Sequence, residues 1–387
     1  LLAKATPDAG KGKELSVRDA LDLAAVDLDK KFPDQPQVRA RIQLLLGNVY
    51  TILGAYEKSE VQLRAGLDVI VKLHGESSME VTDALSLLAN NLRKQGALDE
   101  ANAVITRAHA IATKAIGPNA EQTLWLLSDV GLNAYERGEY NDAATAFAAA
   151  LDGMRKLPDA NPRAIANVLH NHAAALTRAE RFADAEAAHL ESLAIRRSLF
   201  TDPHTNIATG LYQLGVTKAA QKQYAEAARY FREAREQYVI LVGPDHGNVL
   251  TQDLALARLD VDQGRFDPAI ALLQPLLERY RTLHGNDHEE TAICAVELAD
   301  ALQHTGQNAA AQELISPAIA VLERANPDGH TSLAGALRVQ LALQQDRDMQ
   351  DCALAERIAS MLLRSYGPAH SRVLAAQAAA KACVSGG

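Results

Sequence analysis

Four histidines recur at a constant interval: His204, His246, His288 and His330 stand 42 residues apart. Histidines at regular spacing suggest a metal site. Each of these, however, falls in a linker between predicted helix pairs. Packed helix axes lie about 8–10 Å apart, whereas a Zn–N bond is about 2.0–2.1 Å. Successive linkers therefore cannot share one ion, and the histidines read as caps for the helices that follow. Asp129 beside Ser128, and Glu136 near His170, invite an acid–base reading. No nucleophile elbow or oxyanion-hole motif accompanies them, and the chain has no H-R-D, D-F-G or Gly-rich phosphate loop. Catalysis, a metal and a cofactor are all unexpected here. There are three cysteines, Cys294, Cys352 and Cys383, and they form no C-x-x-C motif.

The same interval organises the elements that carry these residues. An aromatic or large residue recurs as Tyr56, Leu98, Tyr140, Phe182, Tyr224 and Phe266, and is lost at Asn308 and Gln350. Three residues on stands a small one: Ser59, then Ala101, Ala143, Ala185, Ala227, Ala269, Ala311 and Ala353. Two residues before the aromatic comes Gly54, Gly96, Gly138, Gly264 or Gly306, replaced by Glu180, Lys222 and Asp348. Seven before that comes Gly47, Ala89, Gly131, Ala173, Gly215, Ala257 or Ala299, with Leu341 in the last unit. A period of 42 kept over eight units decides the fold. Each unit predicts two helices. The small residue in the first lets its partner approach closely, and the glycine ends that helix in the left-handed conformation. The second helix packs its aromatic and its alanine back on the first. Linkers such as GPNA (117–120), GPDH (243–246), GNDH (285–288) and GPAH (367–370) stop it and start the next unit.

This pattern resembles the tetratricopeptide repeat. The residues that match are Leu46-Gly47-x-x-Tyr50, Ala143-x-x-x-Phe147 and Ala227-x-x-x-Phe231. The usual unit is about 34 residues. A unit of 42 with G-P-D-H between units looks like the kinesin light chain subclass. The resemblance covers residues 37–366 and implies an all-α fold, a right-handed superhelical solenoid of about eight helix pairs with an N-terminal helix and a C-terminal capping helix. The expected layout is a flexible leader over 1–15, an N-terminal helix and linker over 16–36, the eight repeats over 37–369, and a capping helix and tail over 370–387. Ser16 is the expected N-cap of a helix over 16–31, with Asp19 favourable in its first turn.

A second resemblance lies in residues 12–60, GKELSVRDALDLAAVDLDKKFPDQPQVRARIQLLLGNVYTILGAYEKSE. The run is similar to the segment that follows the membrane span in bacterial serine/threonine kinases carrying a tetratricopeptide array. It implies that this chain is the sensing, periplasmic part of such a kinase and has no kinase activity of its own. The alternative is a cytoplasmic adaptor, or a regulator that closes around a small molecule. The chain starts with Leu1, which suggests a fragment or a processed product. A net charge of −9 argues against nucleic acid as a partner. No run of 18 apolar residues occurs, so no membrane contact is expected of this fragment itself.

The inner wall of such a superhelix is lined by first helices, and a peptide or protein in that groove is the expected partner. Counting back from the glycine position, the groove register takes Arg41, Asn48 and Thr51 in the first unit. It takes Asp83, Ser86, Asn90 and Arg93 in the second, and Trp125, Ser128 and Tyr135 in the third. Asn167, His170 and Thr177 follow in the fourth, and Thr209 and Tyr212 in the fifth. Asn48 and Asn90 are equivalent, and an asparagine ladder grips a peptide backbone without reading its sequence. Lys94 and Arg178 could catch a carboxylate, Trp125 and Tyr135 an apolar side chain, and His170 could make a pH-sensitive contact. Equally, a solvated wall must be polar whatever it binds. Cys352 and Cys383 fall on neighbouring antiparallel helices. In an oxidising compartment a disulfide would staple the cap, and in the cytosol they would stay two separate thiols.

Overall fold

A computed structural model describes residues 17–26, 28–325, 331–345, 351–368 and 370–385. Among these residues every regular element is helical. The expected leader, Ser16, His330, Asp348 and Gln350 lie outside the described residues. The chain divides into two compact units, one over Leu1–Arg137 and Thr145–Ala160, the other over Gly138–Ala144 and Asn161–Gly387.

Unit 1 opens with α1 (Val17–Ala25) and α2 (Leu28–Lys31), two segments where one helix over 16–31 was expected. Then come α3 (Pro36–Ile52), α4 (Tyr56–His74), α5 (Met79–Gln95), α6 (Leu98–Ile116), α7 (Glu121–Glu136) and most of α8 (Tyr140–Arg155). Consecutive helices pack as pairs because each apolar face is only one stripe wide. Leu63, Leu88, Leu92 and Ala101 form one such seam, and Val81, Leu85, Ile105 and Ala108 another. The small residues sit at the crossings. A Cβ on Gly47 would fall 2.5 Å from Leu63 Cγ, and one on Gly131 would fall 3.0 Å from Phe147 Cε1. At the start, Tyr50 Oη and Lys58 Nζ both donate to Asp22, at 2.7 and 2.6 Å, and tie α1 to the first pair. Those two hydrogen bonds hold the Asp22 carboxyl below the usual carboxylate range.

Unit 2 continues with α9 (Pro162–Arg178), α10 (Phe182–Leu199), α11 (Thr205–Ala220), α12 (Tyr224–Val242), α13 (Gly247–Asp262) and α14 (Phe266–His284). It ends with α15 (Glu289–His304), α16 (Asn308–Ala325), α17 (Thr331–Gln345), α18 (Cys352–Tyr366) and α19 (Ser371–Ser385). Its largest seam runs from Leu250 on α13 through Tyr280, Cys294 and Leu322 to Met361 on α18. Cys294 is fully buried there, and burial pushes its thiol up to about 12. Two prolines, Pro275 in α14 and Pro317 in α16, sit inside helices at the same repeat position. Proline interrupts the helical hydrogen-bond ladder, yet both helices run through it.

Candidate functional site

The recurring histidines are caps. His204, His246 and His288 precede α11, α13 and α15, and their Nδ1 atoms accept from the backbone N–H of Asn206, Asn248 and Glu290 at 3.1, 3.2 and 3.2 Å. His370 does the same before α19, accepting from Arg372 N at 3.1 Å. The spacing of 42 is thus a helix-start signal, since a helix N-terminus leaves N–H groups to be satisfied. One grouping escaped the sequence reading: His284, His288 and Glu290 bring their donor atoms within 4.8 Å of one another. The signal was present as His284-x-x-x-His288-x-Glu290. The two imidazoles stack at 4.2 Å and 14°, which confines their lone pairs to two nearly parallel planes. A metal needs both lone pairs aimed at one point about 2.0–2.1 Å away. His284 Nε2 instead faces Glu290 Oε2 at 3.0 Å.

The polar wall takes shape in unit 1. Between α5 and α7 lies a cleft of about 190 Å³, where Ser86, Asn90 and Arg93 face Asp129 and Asn133 over a floor of Ala89, Ile105 and Leu132. Arg93 donates to Asn90 Oδ1 at 2.8 Å and to Glu136 Oε1 at 3.1 Å. Ser86 Oγ donates to Asp129 Oδ2 at 3.2 Å. Burial raises the Asp129 carboxyl above its ordinary value, against the pull of Ser86 and Arg93. The cleft therefore combines a guanidinium, an amide and a carboxyl, groups that can meet the N–H and C=O of an extended backbone.

Several expected positions fall elsewhere. Ser128 is 5 % exposed and turns into the stack; its neighbour Asp129 takes the wall. The exposed face is set by how α7 rolls against its neighbours, which a count back from the glycine does not register. Thr51 is buried too, bonded to Ser59 Oγ at 2.8 Å and to Asn91 Oδ1 at 3.2 Å. A second, buried asparagine register lies one residue on from Asn90, at Asn91 and its repeat equivalent Asn133. Asn91 Nδ2 donates to Tyr56 O at 3.2 Å, and Asn133 Nδ2 to Leu98 O at 3.4 Å. These asparagines are buried and bind neighbouring helix pairs together. Glu136 pairs with Arg93, not with a histidine.

Of the remaining unit 1 candidates, Arg41 and Lys94 are exposed and Asn48 and Tyr135 are half-buried. Asp83 accepts from Gln122 Nε2 at 2.8 Å, and Trp125 is 38 % exposed. In unit 2, Asn167 is exposed, and Tyr212 packs on Phe231 with centroids 5.6 Å apart. His170 meets His189 edge-on at 6.0 Å. Burial, with the nearby Arg196 charge, lowers its pKa to about 4. Arg178 Nη1 donates to Tyr366 Oη at 2.9 Å. Cys352 on α18 and Cys383 on α19 are joined as a disulfide, with Cα atoms 5.5 Å apart.

The fold and the repeated contacts define an all-α repeat protein built from helix pairs. The chain belongs to the Tetratricopeptide repeat family, whose sequence pattern matches residues 80–156, 164–238 and 245–324. No curated protein matches the chain. Among solved structures, a Rap protein complexed with Competence and Sporulation Factor aligns at 9 % identity, over 89 % of this chain and 99 % of that one, with a TM-score of 0.51. A Signal Transduction ATPase with Numerous Domains from Pyrococcus horikoshii, which has a tetratricopeptide repeat sensor, aligns at 13 % identity over 84 % and 52 %, with a TM-score of 0.56. A putative kinesin light chain from Podospora anserina aligns at 17 % identity over 54 % and 99 %, with a TM-score of 0.48. Among the described residues no helix is long and apolar enough to cross a membrane.

Proposed function

We propose that this chain is a protein- or peptide-binding module and the sensing part of a bacterial membrane serine/threonine kinase, held outside the cytoplasm. The observation that carries the binding reading is the cleft between α5 and α7, where Asn90, Arg93 and Asp129 converge. An extended peptide there would exchange hydrogen bonds with Asn90 and Asp129 and set a carbonyl or carboxylate against Arg93. The structural neighbour complexed with Competence and Sporulation Factor and the one with a repeat sensor are in keeping with this role. The disulfide supports an oxidising compartment, because cytosolic thiols are held reduced. The link to a kinase rests on the resemblance of residues 12–60.

A displayed library of random dodecapeptides, panned against the chain, tests the binding reading. Recovered peptides should bind the Asn90→Ala/Arg93→Ala variant about tenfold or more weakly, the worth of one charge-assisted hydrogen bond. Failure to enrich any peptide, or equal binding by the variant, would sink this reading. For the kinase link, the deciding observation is the encoded sequence upstream of Leu1. A membrane span preceded by H-R-D and D-F-G motifs is expected, and an upstream sequence without them would refute it.

A further inference from the structure

In a stack of helix pairs each pair touches its neighbours, so contacts between distant repeats are not expected. Unit 2 contains a set of them, between residues as far as 225 apart in the chain. The turn joining α9 to α10 meets the turn joining α18 to α19. Tyr366, only 6 % exposed, is at the centre. Its hydroxyl accepts from Arg178 Nη1 at 2.9 Å and from Arg372 Nη1 at 3.2 Å. The same guanidinium groups lie 5.3 and 5.8 Å from its ring centroid. Tyr140, in the first turn of α8, packs on that ring at 6.4 Å, and its hydroxyl donates to the Ser365 carbonyl.

Glu180 supplies the second half of the contact. Its carboxylate accepts from Ser371 N at 3.3 Å and from the Ser371 hydroxyl, and lies 3.9 Å from His370 Nε2. A carboxylate from one helix pair thus sits on the N-terminus of α19, where the helix dipole favours negative charge. Glu180 also has φ +58°, in the place where other repeats carry glycine. A residue with a Cβ is strained there, and the α19 contact gives that strain a use. The backbones meet as well. A Cβ on Gly138 would fall 3.2 Å from Arg364 O and 3.3 Å from Ser365 O, and one on Gly367 would fall 3.5 Å from Gly138 O. Every other described glycine of positive φ has open space around that position.

We propose that these turns form a latch, in which the α18–α19 hairpin docks on the α9–α10 turn, closes unit 2 on itself, and swings away without unfolding the repeats between. The joint between the turns is made of hydrogen bonds and tilted aromatic rings, so parting it returns polar groups to water, while Ile358 and Met361 keep α18 in the aliphatic seam with the preceding repeat. The disulfide fastens the opposite end of the same hairpin, since Cys352 opens α18 and Cys383 lies near the end of α19. The hairpin therefore moves as one body. Opening uncovers Tyr366, Tyr140 and Arg178 together.

Amide hydrogen exchange on the oxidised full chain tests the latch. The variant Glu180→Gly/Tyr366→Phe removes the carboxylate and the central hydroxyl while relieving the φ strain. Lys222→Gly is the control, because Lys222 has φ +60° in the same turn of the next pair and lies away from the latch. Without a latch both variants should behave alike. With it, exchange across 361–385 rises about tenfold or more in the double variant alone, while the melting midpoint stays within about 3 °C. Equal exchange in the double variant and the control overturns the proposal, because the turns would then touch without holding. Faster exchange throughout α9–α19 overturns it too, because the contact would then be part of the core.

Discussion

At the scale of the residue, identity announced more chemistry than position delivered. The regular histidines have a spacing that suggests ligands, but they read as caps and are caps, because an imidazole two residues before a free N–H has a partner waiting. His189 shows the opposite case. It is buried on α10, its Nε2 has no hydrogen-bond partner, and burial, with His170 and Arg196 nearby, lowers its pKa to about 3. An unfolded histidine titrates near 6.5. Between those values the unfolded chain binds the proton and the folded chain does not. The stability from a neutral His189 is therefore intact above about pH 6.5 and is lost as the pH falls, on the order of 1 kcal/mol per pH unit. Thermal melting from pH 7 to pH 4.5 should show this slope, and His189→Gln should flatten it. An unchanged slope would mean that His189 is not a source of the acid sensitivity.

At the scale of the element, the glycines separate crossing points from mere punctuation. A Cβ on Gly215 would fall 2.5 Å from the Phe231 ring, so α11 and α12 cannot keep their spacing around alanine. Gly215→Ala is expected to cost about 1–3 kcal/mol, as overpacking does. Gly335, inside α17, has nothing within 4 Å of the same point. There Gly335→Ala should stabilise by about 0.5–1 kcal/mol through helix propensity alone. Denaturant unfolding of the two variants checks the pair, and the same sign for both would show that the crossing contact does not decide.

At the scale of the whole molecule, the end of the array depends on a covalent tie. The Cys352–Cys383 bond closes a loop with a sequence separation of 31, for which chain entropy suggests about 3–4 kcal/mol. Since repeats are coupled through their neighbours, reducing it should act locally. Exchange in 371–385 should rise strongly with reductant while α11–α13 hardly change. A chain-wide rise would mean that the cap holds more than its own end.

The period of 42, the helix starts and stops, the crossing glycines and the family were all legible in the sequence, because each is a local rule repeated until chance is excluded. The groove was legible only in outline. Asn90 and Arg93 line the cleft, Asp129 stands there in place of Ser128, and Asn91 beside Asn90 is buried between helix pairs. A helical face is set by how two helices roll against each other, and periodicity alone does not hold that angle. Pro275 and Pro317 lie inside helices that continue past them, because packing outweighs one lost hydrogen bond. The latch was beyond reach of any period. Gly138, Glu180 and Tyr366 lie in three different repeats, and only the path of the chain through space brings them together. The sequence by itself determined the unit and its stacking, which are short-range and repeated. Tertiary structure decided which polar residues converge in the cleft and where unit 2 meets itself, because small rotations between pairs add up over many residues.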